Sequence, residues 1–281
     1  MALEDHILFG NYKNTGESKQ VEDVANGEKC ECYCFSCGMP LSAQQGTKNV
    51  WHFKHATYKP EYGAKKECMY SFDVSVLAMA KQIILESEYL KTPNQIMYTP
   101  SGKETVVADR GKLVFDSVEV NAKYHNRNVD ALIQSYGKEI AVIFKCRHRD
   151  NLLADSILQN GGSAVLTISL EDARYWLDKG NNKGFKETLR EHIIDDYWEK
   201  DWAMHPRRFN YEQENGIKLT YKPTTSNSAI KLGSNSDLNQ MPRASFFACT
   251  SCEIEWLGRA FCSWCKSKEY VKPIPHLGFT K

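Results

Sequence analysis

The chain is predicted to fold as an α/β protein, with a mixed sheet flanked by helices and a small metal-binding module at each end. Three observations carry that expectation. A helical apolar period at residues 71–87 is followed by apolar runs of strand length, and then by alternating helix and strand patterns. Ile140, Ala141, Val142, Ile143 and Phe144 stand in a row, as in a central strand buried on both faces. Eight of the ten cysteines fall in two local clusters, which in a reducing compartment points to metal rather than disulfides.

At 281 residues there is room for one medium domain and one or two small ones, and a hydrophobic fraction of 42% allows a true core. The formal charge of +1 neither requires nor excludes a nucleic-acid partner, so any such contact must come from local patches. The beginning, MALEDHILFG, carries early acids and no long apolar stretch, unlike a secretory signal. No apolar run approaches the ~20 residues of a membrane span. A cytoplasmic location without membrane contact is therefore the expectation. Four regions are distinguished: a Cys-, Gly- and Lys-rich segment 1–70, a core 71–202, a polar linker or set of long loops 203–245, and a Cys-rich tail 246–281.

The core has a legible order. In SFDVSVLAMAKQIILES, Phe72, Val76, Met79, Ala80, Ile83 and Ile84 keep helical spacing, and Ser71 suits the N-cap. LVFDSVEVNAKY (113–124) contains an alternating strand with Val114, Asp116, Val118 and Val120 on one face. NVDALIQ, a turn at SYGK, and EIAVIFKCRH read as two neighbouring strands. NLLADSILQNGG (151–162) is a helix stopped by glycine, SAVLTISL (163–170) a strand, and EDARYWLDKG (171–180) a helix with acids in its first turn. FKETLREHIIDDYWEKDW (185–202) is read as a last helix.

The tail holds the most specific motif. Cys249 and Cys252 form one CxxC turn and Cys262 and Cys265 another, with nine residues between them that suit a hairpin. Four thiolates make a closed tetrahedral site, so zinc here would fold the tail and do no chemistry. The N-terminal cluster is less regular. Cys34 and Cys37 form a CxxC turn followed by glycine; His55 and Cys68 would complete a zinc site, with His52 as the alternative to His55 and Cys30 and Cys32 as spare thiols.

The order CxxC, HFKH, a further cysteine, a helix containing AKQII and then the strands resembles the competence protein CoiA-like family over residues 30–178. That resemblance implies an N-terminal zinc ribbon before a restriction-endonuclease-like domain of the PD-(D/E)XK type, and a setting in DNA uptake or phage defence. It does not extend to the tail module. The family's helix carries an acid, a histidine and a lysine at four-residue steps; the matching positions here are Asp73, Leu77 and Lys81, with leucine in place of the histidine. The family's strand aspartate matches Asp130, and Lys145 stands where the motif's lysine belongs. The glutamate two residues before that lysine is Ile143 here, and His148 matches a closing histidine.

Phosphodiester hydrolysis at such a site needs a metal-bound water and oxygen ligands for Mg2+ or Mn2+. Asp130 supplies one carboxylate, Asp73 could supply a second, and Glu119 or Asp116 on the preceding strand a third; these two lie on opposite faces, so only one can serve. Asp73 is equally well read as a first-turn helix acid, and Glu119 as a solvated strand residue. Lys145, Arg147, His148 and Arg149 form a basic edge suited to phosphates, joined by Lys123, His125 and Arg127 and by HPRRF at 205–209, with Lys81 of the helix as a further nucleic-acid-binding candidate. Two functions follow. One is a Mg2+-dependent DNA nuclease weakened by the missing acid. The other is an inactive relative that binds nucleic acid, or docks protein partners through its zinc modules.

Overall fold

The computed structural model describes residues 6–47, 50–56, 71–125, 127–146, 163–178 and 184–220, and the backbone of three strands between 245 and 274. Its architecture is mixed α/β, as the apolar patterning implies. The chain begins with a small sheet of β1 (Phe9–Tyr12), β2 (Ser18–Gln20) and β3 (Cys32–Tyr33) in the order β2-β1-β3, followed by the hairpin β4 (Leu41–Gln44) and β5 (His52–His55). Helix α1 spans Ser71–Leu85. Two ribbons come next: β6 (Tyr89–Thr92) pairs with β9 (Gly111–Val114), and β7 (Gln95–Tyr98) with β8 (Glu104–Ala108).

The central sheet contains β10 (Ser117–Val120), β13 (Ala131–Ser135), β14 (Lys138–Lys145), β15 (Val165–Ser169) and β16 (Lys200–Met204), in that spatial order. Only the β14–β15 pair is parallel. Between β10 and β13 lies the small hairpin β11 (Lys123–Tyr124) and β12 (Arg127–Asn128). Helices α2 (Ala173–Asp178) and α3 (Phe185–Arg190) follow β15; α3 runs on as one π-helical turn over Glu191–Asp195. Helix α4 covers Pro206–Asn215.

Strand β14 occupies the middle of the sheet and is covered on both faces, as its unbroken apolar run predicts. On one face Val142 and Phe144 pack with Ala131, Ile133, Leu166 and Ile168 against Phe72, Val76, Met79, Ala80, Ile83 and Ile84 of α1. Leu8 and Phe9 belong to the same core, so the N-terminal sheet is seated on α1. On the other face Ala141 joins Leu132 and Val165 with Ala122, Tyr124, Val129 and Met204, and Ile143 packs half-buried against them. Fully burying one such side chain stabilises by about 1.5–3 kcal/mol, so this two-sided strand anchors the molecule.

Several expectations need correction. The stretch 113–124 is three short strands, because the chain turns at Phe115 and Asp116, whose N–H groups donate to Glu88 and Gln134 carbonyls. Val118 and Val120 face the core, whereas Val114 and Asp116 are exposed. The expected helix 185–202 ends at Asp195. Glu199 takes a left-handed φ of 59°, and Lys200–Met204 closes the open edge of β15 as β16. An exposed strand edge is a strong acceptor of pairing, and it overrides the weak helical period there. The Lys200 ammonium and the Trp202 indole N–H, donating to Lys91 and Pro93 carbonyls, fix β16 in place. The polar stretch 203–245 is not all loop. His205 caps α4 by accepting from the Arg207 N–H, Pro206 opens the helix, and Gly216 ends it at φ 64°. Ribbons β6–β9 and β7–β8 had no clear alternation to announce them. The helix expected at 151–162 lies outside the described residues.

The three tail strands, β17 (Ser245–Cys249), β18 (Ile254–Gly258) and β19 (Val271–Ile274), form an antiparallel sheet in the order β18-β17-β19. Register places Ile254 and Val271 beside Cys249 at one end. No helix among the described residues is long and apolar enough to cross a membrane.

Candidate functional site

Asp130 stands one residue before β13, at the point where the β13–β14 ladder ends with the pair Ala131 and Val142. Its backbone still belongs to the sheet: the N–H donates to the Val142 carbonyl and the carbonyl accepts from the Asn121 N–H. Beyond the ladder, the Phe144 N–H loses its strand partner, and Asp130 Oδ2 accepts it at 2.9 Å. The carboxylate has no solvent exposure, and its Oδ1 lies 3.0 Å from Lys81 Nζ. Lys81 also donates to Asn121 Oδ1 at 2.7 Å. A buried carboxylate without such partners would be costly, by several kcal/mol. The helix lysine and the strand N–H together offset that cost.

The other expected site residues are placed differently. Asp73 lies eight residues from Lys81 on α1, about 12 Å along the axis, and its Oδ2 is 3.3 Å from the Arg174 guanidinium of α2. That guanidinium also lies 4.7 Å from the centre of the Phe72 ring. Asp73 thus fastens α1 to α2. Glu119 is exposed on β10 opposite Leu132, facing away from the α1 side that Val118 and Val120 occupy. Lys145 ends β14 opposite Ser169, half-buried, and alternation puts it on the Ile143 face rather than the Phe144 face. Arg147, His148 and Arg149 lie outside the described residues.

This arrangement does not fit a Mg2+ or Mn2+ centre. Such ions require several converging oxygens. Among the described residues no trio containing a carboxylate gathers as metal ligands would; the grouping that does is Cys34, Cys37 and His55. Asp130 holds an ammonium instead, Ile143 has no side-chain oxygen, and Asp73 is bound to arginine.

The cysteine–histidine grouping is a good fit for a metal. Cys34, Cys37 and His55 present Sγ, Sγ and a ring nitrogen, all within 4.8 Å of one another, and Cys37 Sγ is 3.2 Å from His55 Nε2. Ligands on a zinc tetrahedron are about 3.5 Å apart, from Zn–S near 2.3 Å and Zn–N near 2.0 Å. The CxxC turn is shaped by backbone bonds: the Cys34 N–H donates to the Met39 carbonyl and the Gly38 N–H to the Cys34 carbonyl. Gly38 has φ 67°, a left-handed conformation that glycine adopts without strain. Hairpin pairing of Leu41 with His55 delivers the imidazole. His52 is on the other side of that strand. It is buried, with Nδ1 2.7 Å from the Val50 carbonyl and its ring edge-to-face with His6. Of the two histidines, His55 is the one grouped with Cys34 and Cys37.

Cys30 and Cys32 are both buried and interact with each other; their hydrogen bond pulls the Cys30 thiol down to about 6 and pushes the Cys32 thiol up. Their sulfurs meet the Leu41 and Cys30 carbonyls and do not join the metal grouping. Cys68, Cys252, Cys262 and Cys265 lie outside the described residues; Cys249 closes β17.

Two clefts lie among the described residues. One of about 520 Å³ lies beside α1, with Lys81 and Asn121 in its wall. A larger one of about 800 Å³ lies at the opposite end of β14, around Lys138. Arg174, which holds Asp73, and Asn121, whose Oδ1 accepts from Lys81, had no local signature in the sequence, since only tertiary packing brings them there. No family model, curated protein or solved structure matches this chain.

Proposed function

We propose that the protein binds nucleic acid, DNA first among candidates, through a restriction-endonuclease-like core that does not cut, with zinc holding the N-terminal module together. The observation that carries this reading is the Asp130–Lys81 pair. At the position where a PD-(D/E)XK site would bind a divalent cation, the carboxylate is neutralised by an internal ammonium at 3.0 Å, and the neighbouring acid position is Ile143. Phosphate contact there is then the work of fixed cations and needs no divalent ion. The mixed sheet order, with one parallel pair beside the aspartate strand, agrees with the family resemblance of residues 30–178.

Zinc would be held by Cys34, Cys37 and His55, with Cys68 as the fourth candidate ligand. It supplies a cross-link between the CxxC turn and the β4–β5 hairpin. The test is a pair of assays on the zinc-loaded chain. Supercoiled and single-stranded DNA incubated with Mn2+ should remain intact, while mobility-shift titrations show salt-sensitive binding that is equal with and without Mg2+. Metal-dependent cleavage that disappears in Asp130→Ala would establish an active nuclease instead. No DNA or RNA binding at low salt would leave a protein-docking role.

A further inference from the structure

The wide cleft at the far end of β14 has features that the Asp130 site does not explain. Its walls include the β13–β14 turn, strand β16 and the start of α4, together with residues of β9 and β11. At the turn, Tyr136 and Gly137 take φ 48° and 69°. These are the angles of the two-residue turn that joins β13 to β14, where Ser135 pairs with Lys138. The turn leaves the Tyr136 ring with 82% of its surface exposed at the cleft rim.

Lys138 and Arg207 share the cleft lining with this ring, together with Lys112. Lys138 begins β14 and Arg207 stands in the first turn of α4, both exposed. Both also act on His205, another lining residue. Burial first, and then the charges of Arg207 and Lys138, bring its imidazole down to about 4. His205 is thus neutral at pH 7. Because Nδ1 accepts the Arg207 N–H, the ring hydrogen is on Nε2, as a donor. Trp202 lies edge-on to the same imidazole at 4.7 Å. In the cleft wall, Ser135 is 97% buried by its 3% exposure, and its hydroxyl has no hydrogen-bond partner among the described residues. A hydroxyl left in that state awaits a bound group or water. Asp109 and Glu139 also line the cleft; Glu139 is engaged by the Gln134 amide at 2.9 Å. The volume of about 800 Å³ is within the range of small-ligand sites and exceeds one nucleotide.

We propose that this cleft binds a base–phosphate unit, with the phosphate between Lys138 and Arg207 and the flat base against Tyr136 and Trp202. Aromatic platforms beside cations are how proteins hold single strands without reading sequence. The proposal deepens the nucleic-acid reading and rests on it, since it names a second contact surface distant from Asp130. A free nucleotide and one unit of a single strand offer the same chemistry.

The experiment is fluorescence anisotropy of fluorescein-labelled dT15 on the zinc-loaded chain from 50 to 200 mM salt. The wild type should bind. Lys138→Ala with Arg207→Ala should weaken binding at least tenfold and reduce the salt slope by about 0.7, the value for one lost phosphate contact on a single strand. Tyr136→Ala should weaken it about tenfold with the slope unchanged. All three positions are exposed, so the fold should persist, and Lys103→Ala, outside the cleft, serves as the control. Displacement of dT15 by millimolar dTMP would identify a free nucleotide as a sufficient ligand; failure of dTMP alongside loss in the variants would identify the strand. Unchanged affinity in the double variant overturns the cleft proposal and leaves DNA binding in place elsewhere. Absence of dT15 binding by the wild type overturns the cleft proposal; absence of duplex DNA and RNA binding as well overturns the nucleic-acid reading.

Discussion

Replacing Lys81 by methionine keeps the length of the side chain and removes the ammonium from Asp130. The carboxylate has zero exposure and would keep the Phe144 N–H, which donates to Oδ2 at 2.9 Å, but lose the ammonium charge beside Oδ1. Breaking one side of a buried ion pair costs about 3–5 kcal/mol. Lys81 itself is 12% exposed and borders the 520 Å³ cleft, so water can partly replace it, which favours the lower end, near 3 kcal/mol. For a domain of this size, that is a fall in Tm of roughly 6–12 °C. Combining Lys81→Met with Asp130→Asn removes both charges while the amide oxygen can still accept the Phe144 N–H. The double variant should recover to within about 1 kcal/mol of the wild type, because a neutral pair avoids the desolvation of two ions. Urea unfolding followed by circular dichroism, at constant zinc, measures all of these and gives the coupling energy directly. The reasoning fails if Lys81→Met alone costs under about 1 kcal/mol. It fails equally if Mn2+ stabilises the wild type and Asp130→Ala abolishes that effect, since the carboxylate would then be free to hold a metal.

Other outcomes are expected from the same geometry. His55→Ala or Cys37→Ser should release zinc to a colorimetric chelator far more readily than the wild type, whereas His52→Ala should keep the metal while losing its packing against His6 and its hydrogen bond to the Val50 carbonyl. Gly10→Ala would bring a Cβ to 2.8 Å from Cys32 Cβ and 3.2 Å from Leu41 Cδ1, so thermal unfolding should show a loss of about 1–3 kcal/mol. His205 is held below its unfolded value by burial and by two cations, so the unfolded chain binds the extra proton first on acidification. Its contribution to stability is therefore full above about 6.5 and falls as pH drops toward about 4. Urea midpoints between pH 7 and 5 should decline less in His205→Gln than in the wild type; equal slopes would refute the assignment. Arg174→Ala should leave Asp73 without its partner and loosen α1 from α2, read as faster hydrogen exchange in α2 with little change at β14.

Much of this molecule was written in local patterns. The helical spacing of Phe72, Val76, Met79, Ala80, Ile83 and Ile84 specified α1 and its buried face, because a 3.6-residue period leaves one consistent packing side. The unbroken apolar run Ile140–Phe144 marked a strand covered on both faces, and it is the middle strand of five. Tyr-Gly between two apolar runs marked their turn, and CxxC-Gly followed by HFKH marked the metal grouping, since both depend on residues close in sequence. Tertiary structure alone decided the rest. It turned Lys200–Met204 into an edge strand, because β15 had an open side to fill. It brought His55, not His52, beside Cys34 and Cys37 through the pairing of β4 with β5. It gave Asp130 to Lys81 and Asp73 to Arg174, across 49 and 101 positions of chain. A charge in the sequence does not say whether it will meet a metal, a phosphate or an opposite charge. Desolvation decides, by forcing every buried ion to take the partner that packing brings within reach.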